Sequence, residues 1–291
     1  MSEVEGSTVV SNTSIKEINS VFTRQEILDI LHPGWSEKRL ENNDVFPFFM
    51  NSKLGISYCL QPFLTRTIPS YEYLDPKCWN DFFPKICQFN LGVIPKNIPD
   101  NWDIKEMKYQ RITFGNSMED IEKTYSSNIK RIKKKQDIFS LDSDTSLSSY
   151  FTFMKNNNPF FRKMKKILFT RFQELIIYFD SKGMGELLCL KNEKREIVAM
   201  SYFVFDGHSV IDFKGSATQE GKKTGAVAVL HLKAFERYHS NFRFYDFYGA
   251  NSSRRAHFNK KFGSQQVSYY QFTRIDYHRF IKKIIKKIWS I

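Results

Sequence analysis

From Ile197 to Asp206 large apolar side chains recur at every second position, Val198, Met200, Tyr202 and Val204. The run ends at Asp206-Gly207, a two-residue hairpin signal. Ser209 to Lys214 keeps strand composition and stops at Gly215. Val229, Leu232, Lys233, Phe235 and Glu236 take helical spacing, with Leu230 thickening the apolar side, and FRFYDFYGAN returns to strand. Between Ile197 and Thr273 the pattern predicts strand, hairpin, strand, a glycine-bearing turn over 220–226, helix, strand, helix and strand.

Upstream the signal is weaker. Thr23 followed by Arg24-Gln25-Glu26 predicts a capping box for a short helix through Leu31. Strands are expected at Phe46–Met50 and Ile56–Leu60, then at 92–94 and 108–114. Trp79, Phe82, Phe83, Ile86 and Phe89 have helical spacing, predicting a helix over 77–89 that Pro84 interrupts. Residues 118–135 read as one helix with acids first and bases last, the order its dipole favours. The Asp and Ser cluster at 136–149 reads as a linker, and helices follow at 149–154 and 160–179. Residues 1–17 show no periodicity and read as a disordered tail. At the other end, RFIKKIIKKIWSI (279–291) sets six apolar side chains against four lysines. Such a helix either docks on the first half or lies on an anionic membrane.

Charge narrows the partners. The 291 residues carry a formal charge of +13, which fits a nucleotide cofactor, a tRNA or an anionic membrane surface. The four cysteines have no Cys-x-x-Cys spacing, so reduced thiols in a cytoplasmic chain are expected. His231, His239 and His257 lack metal-ligand spacing and read as helix-surface residues, and no metal is expected. No apolar run is long enough to span a bilayer. Ser252 or Ser253 is placed to cap the helix that ends at Lys261.

The turn 220–226 holds Gly221, Lys222, Lys223, Thr224 and Gly225. It is either a solvated connection or a place where backbone N–H groups at a helix start meet an anion. The segments SATQEGKKTGA, DFYGA and FNKKFGS, with VFPFFMNSKLGISYCLQPFLTR and TYSSNIKRIKKKQ upstream, resemble the GNAT superfamily of acyl-CoA N-acyltransferases over about residues 20–275. Within it they are most similar to tandem, Fem-like and BioF2-like proteins.

That resemblance implies an α+β fold of two GNAT-like domains, 18–140 and 141–278, each a mixed, mostly antiparallel sheet flanked by helices. The second domain would hold the cofactor. The implied reaction moves an acyl group from acetyl-CoA or another acyl-CoA to an amine. A Fem-like transfer from charged tRNA, or a non-catalytic GNAT-fold binding module, is the alternative. The implied cofactor contacts are Phe213, Gly215, Ser216 and Ala217 on the central strand, Lys222, Lys223, Thr224, Gly225 and Ala226 at the turn, and Lys261. Asp212, Asp246 and Tyr248 are the candidates for proton transfer, and Gln61 and Arg66 for substrate contact. Two positions depart from the family pattern: Asn259 stands near the usual acidic tyrosine, and Tyr248 replaces the acid of DFEGS.

Overall fold

The computed structural model describes residues 20–39, 45–53, 55–68, 79, 83–96, 98–115, 117–249 and 251–277. The expected tail at 1–17 and the basic segment at 279–291 lie outside them. A single 3-10 turn (Val21–Thr23) leads into α1 (Gln25–Leu31), then β1 (Ser36–Arg39), β2 (Val45–Phe48), β3 (Met50–Lys53), β4 (Ile56–Leu60), β5 (Ile86–Leu91) and β6 (Asp103–Thr113). Next come α2 (Met118–Lys123), α3 (Ser127–Lys133), β7 (Ser140–Asp142), α4 (Leu147–Asn157), α5 (Pro159–Arg162) and α6 (Lys166–Ser181). The chain continues through β8 (Gly185–Lys191), β9 (Ile197–Asp206), β10 (Ser209–Ala217), α7 (Gln219–Thr224), α8 (Ala226–Tyr238), β11 (Phe244–Asp246), α9 (Ser253–Lys260) and β12 (Gln265–Ile275).

Ten strands form one sheet in the order β3-β4-β5-β12-β6-β11-β10-β9-β8-β7, with β1 and β2 as a separate pair. Pairing is antiparallel except at β4–β5 and β10–β11. The last strand, β12, comes from the second half of the chain and inserts between β5 and β6 of the first. The two halves therefore share a continuous sheet. β9 is buried on both faces: Val198 and Phe203 join the core under α8, while Met200, Tyr202 and Val204 join the one under α4 and α6. Around β5 and β12 a third core is mostly aromatic, with Trp79, Phe83, Phe89, Trp102 and Phe272.

Several elements differ from the sequence reading. The helix expected through Phe89 is strand from Ile86 onward. Cys87, Phe89 and Leu91 alternate into the aromatic core, and the partner β12 lies almost 200 residues away, beyond any local signal. The single helix expected at 118–135 breaks in two. Thr124 Oγ1 turns back to Ile121 O (2.6 Å), and the Ser126 N–H leaves to bond Lys261 O (2.8 Å). The expected linker contains β7, which extends the sheet beside β8. α1 has Arg24 at its N-cap with no side-chain bond, and Thr23 Oγ1 instead donates to Ser20 O (2.7 Å). The helix at 160–179 is interrupted between Arg162 and Lys166.

Candidate functional site

β10 pairs with β11 only from Ser209 to Ile211, although it runs on to Ala217. β11 stops at Asp246, and the chain swings away through Tyr248, whose φ is +59°. On its other edge β10 stays paired to β9, with a register shift between Asp212 and Lys214 that sets Phe213 outside the ladder. A bulge of this kind re-aims side chains and releases backbone groups. Beside this open edge lies a cavity of about 910 Å³.

Gly215 is required here by close approach. A Cβ at that position would stand 2.6 Å from Ser201 Oγ and 3.1 Å from Met200 O. The open strand is also tied from α4, because Tyr150 OH donates to Lys214 O (2.7 Å) and Asn158 Nδ2 to Gly215 O (3.3 Å). Those two carbonyls are thus already engaged by side chains.

At the foot of the cavity the Ser201 hydroxyl donates to Asp212, and His231 Nε2 lies 4.0 Å from the other carboxylate oxygen. His231 Nδ1 is 2.6 Å from Tyr245 OH. The charge of Asp212 favours the proton on Nε2, so that Nδ1 accepts from Tyr245. Burial lowers the His231 pKa, against the pull of Asp212, and keeps the ring neutral near pH 7. His231 is thus a buried residue of α8 and not the surface residue expected. Its place in the stripe with Ala228, Leu232 and Phe235 was the signal available in the sequence.

Besides Arg66, which is paired to Asp246, three cations reach the cavity: Lys214, Lys222 and Arg255. Lys214 is half-buried, with Nζ 4.9 Å from the ring centroids of Phe213 and Tyr248. Burial and the neighbouring Arg255 push its pKa down to about 8, with Asp212 opposing. Neither Lys214 nor Arg255 stood among the residues expected from sequence; each is one position in a run with no motif of its own.

The remaining candidates divide. Asp212, Phe213, Gly215, Ser216, Ala217, Lys222 and Tyr248 line the cavity. Lys223, Thr224, Gly225, Ala226 and Lys261 do not. The expected turn is α7, a helix in which Lys222 N–H bonds Thr218 O and Gly225 N–H bonds Gly221 O, so these two amides are used within it. Gly225 is the left-handed joint (φ +86°) between α7 and α8, and a Cβ there would lie 3.4 Å from Ile132. At the start of α8, Ala228 and Val229 bond back to Gly225 O, which leaves the N–H groups of Ala226 and Val227 without a partner inside that helix. Lys261 closes α9, its carbonyl taken by Ser126. Ser252 occupies the α9 N-cap without a side-chain bond.

Asp246 is buried and ion-paired to Arg66 (2.6 Å), and its Oδ1 accepts the Tyr248 N–H (2.7 Å). Burial opposes the Arg66 charge, yet Asp246 and the tyrosines Tyr109 and Tyr248 hold its pKa above the ordinary arginine value. The Arg66 guanidinium carbon sits 3.8 Å from the Tyr109 ring centroid. The Tyr248 hydroxyl donates to Leu64 O, burial raises its pKa, and its ring faces Lys214. Gln61 holds the 61–68 loop through Thr65 (2.9 Å) and the Asn90 N–H (2.9 Å) and does not line the cavity. Arg66 and Tyr269 also line a second cavity of about 450 Å³, which Asp246 reaches. Among the described residues no group of three His, Cys, Asp or Glu side chains is arranged to hold a metal.

No family model matches the sequence, and no curated protein matches it. Solved structures do resemble the fold. FemX superposes with a TM-score of 0.62 at 10% identity, covering 94% of this chain and 96% of that one. L-PGS from Bacillus licheniformis gives 0.52 at 8% identity, covering 88% and 89%. The C-terminal domain (DUF2156) of a putative lysylphosphatidylglycerol synthetase from Agrobacterium fabrum gives 0.52 at 8% identity, covering 84% of each chain. With an open central strand beside a cationic cavity, the chain shares the fold of FemX and of these two synthetase structures.

Proposed function

We propose that the chain is an N-acyltransferase, moving an acyl group from acetyl-CoA or a longer acyl-CoA to the amine of an acceptor. The observation that supports this most is the lapse in β10–β11 pairing. It opens Phe213 to Ala217 onto a cavity whose cations Lys214, Lys222 and Arg255 form no ion pair among the described residues. A phosphate-bearing carrier supplies the charge these three lack. The attacking amine must be neutral, and we assign Asp212, which lines the cavity and accepts from Ser201, as the proton acceptor, since Asp246 is committed to Arg66. A C–N bond forms as the C–S bond breaks, and the amine proton passes to Asp212 while the thiolate leaves. Main chain at the Phe213 bulge is the candidate donor to the charge developing on the carbonyl oxygen.

One observation favours a second donor, an aminoacyl ester on tRNA. The helical α7 removes most of the main-chain cradle expected for a CoA diphosphate, leaving side-chain cations and the Val227 amide at the cavity. Calorimetric titration of the full chain with acetyl-CoA and with charged tRNA separates the two. Binding of acetyl-CoA that is lost in a Lys214→Met, Lys222→Met variant supports the first reading. Binding of charged tRNA alone, falling steeply with salt, moves the donor to the second. Binding of neither overturns the transferase reading.

A further inference from the structure

Residues 145–173 contain no Asp or Glu, yet carry Lys155, Arg162, Lys163, Lys165, Lys166 and Arg171. They form α4, α5 and the first half of α6, and the α4–α5 corner stands at the mouth of the larger cavity, lined there by Asn158, Pro159 and Phe160. Buried Phe161 and Phe169 pin this corner from inside, with ring centroids 6.0 Å apart, and Lys155 Nζ lies 4.3 Å from the Phe169 ring. Their sequence neighbours face out. Phe160 is 53% exposed and Ile167 58%, the two most exposed large apolar side chains among the described residues. Lys155, Arg162, Lys163, Lys165 and Lys166 are exposed around them, while Arg171 turns inward to Leu31 O.

Local stability does not account for this composition. Lysines before and within the first turn of α6 oppose its dipole, and no side chain caps that turn. Two large apolar side chains in water forgo burial. Residues that break local rules together mark a surface kept for another purpose.

We propose that this corner docks on an anionic lipid membrane, with Phe160 and Ile167 entering the interface and the five exposed cations meeting lipid phosphates. The cavity mouth then faces the bilayer. Charge and apolarity argue jointly for lipid: a nucleic acid would use the cations and a ring, but gains nothing from Ile167. The proposal rests on residues other than 279–291 and does not depend on the transferase reading.

Co-sedimentation of the full chain with phosphatidylcholine vesicles, with and without phosphatidylglycerol, tests it. Binding is expected only with the anionic lipid. Lys163→Gln, Lys165→Gln, Lys166→Gln should weaken it roughly a hundredfold, and Phe160→Ser, Ile167→Ser about tenfold or more. Thermal melts of both variants should match the parent, since all five side chains are exposed. Phe160→Trp should shift its emission to the blue on vesicles and be quenched by brominated lipid. The proposal fails if anionic vesicles are not bound. It fails equally if both multiple variants bind as the parent does, which would give the binding to another segment. Loss in the lysine variant alone, with tRNA bound in the same pattern, would make this a nucleic-acid surface and overturn the membrane assignment.

Discussion

β6 and β12 pair without a break from Gln265↔Arg111 to Thr273↔Asp103, whereas β10 and β11 part after Ile211↔Asp246. The closed pair sits beside a core that is mostly aromatic, with Trp79 4.9 Å from Trp102 and Phe89 5.6 Å from Phe272. Beside the open pair the core admits His231 and Ser201, with half-buried Asp212 at its edge, and a cavity replaces the missing ladder. A strand fully used by its neighbours has no main chain left for a ligand. The cavity and the polar groups that line it therefore lie where pairing stops. The Arg66–Asp246 pair marks the seam between the two regions, reaching from the 61–68 loop to the end of β11.

The contrast is most strongly broken from its closed side. Phe272→Ala should destabilise by about 3–5 kcal/mol, the range for truncating a fully buried ring, read as a fall in the denaturant midpoint. A loss below about 1 kcal/mol would mean that the aromatic core is not packed as described. At the seam, Asp246→Ala leaves the largely buried Arg66 without its partner and should cost up to about 3 kcal/mol, with Arg66→Met, Asp246→Ala recovering part of the loss. Equal stability of the single and double variants would remove the pair from this role. On the open side, Gly215→Ala forces a methyl group against Ser201, an overpacking that costs about 1–3 kcal/mol. Acyl-donor binding should weaken with it, and unchanged binding would show that Gly215 does not border the ligand.

Lys214 gives the smallest effect on stability and the sharpest on binding. Its pKa is pushed down to about 8 in the folded chain, against about 10.4 for an unperturbed lysine. The unfolded chain thus binds the proton more readily, and stability present above the unfolded value is lost as pH falls through about 8. Lys214→Met should flatten that slope in pH-dependent melts, modestly because the side chain is half-exposed and solvent screens it. Affinity for an anionic probe such as pyrophosphate should fall as pH rises past about 8 in the parent chain and stay level in the variant. The opposite trend would place the anion away from Lys214.

Much of the second half was legible because its cues are local. Asp206-Gly207 closes the β9–β10 hairpin where expected, and the spacing of Val229, Leu232 and Phe235 marks α8. The FemX-like fold was legible through short motifs rather than periodicity. What could not be read depends on distant partners. β5 looks helical until β12 is placed beside it, and Asp246 looks like a free carboxylate until Arg66 arrives from 180 positions earlier. The glycines at 221 and 225 suggested an open turn because glycine permits one. Here the chain makes a helix and uses Gly225 as its left-handed end.

Hydrogen exchange of the full chain, free and with saturating donor, tests the central claim most directly. Free protein should exchange its amides faster at Phe213 to Ala217 than along β6 and β12. Acetyl-CoA or charged tRNA should then slow the β10 segment and leave residues 103–111 unchanged. A β10 edge already protected in the free chain, or one that neither donor slows, would contradict the account.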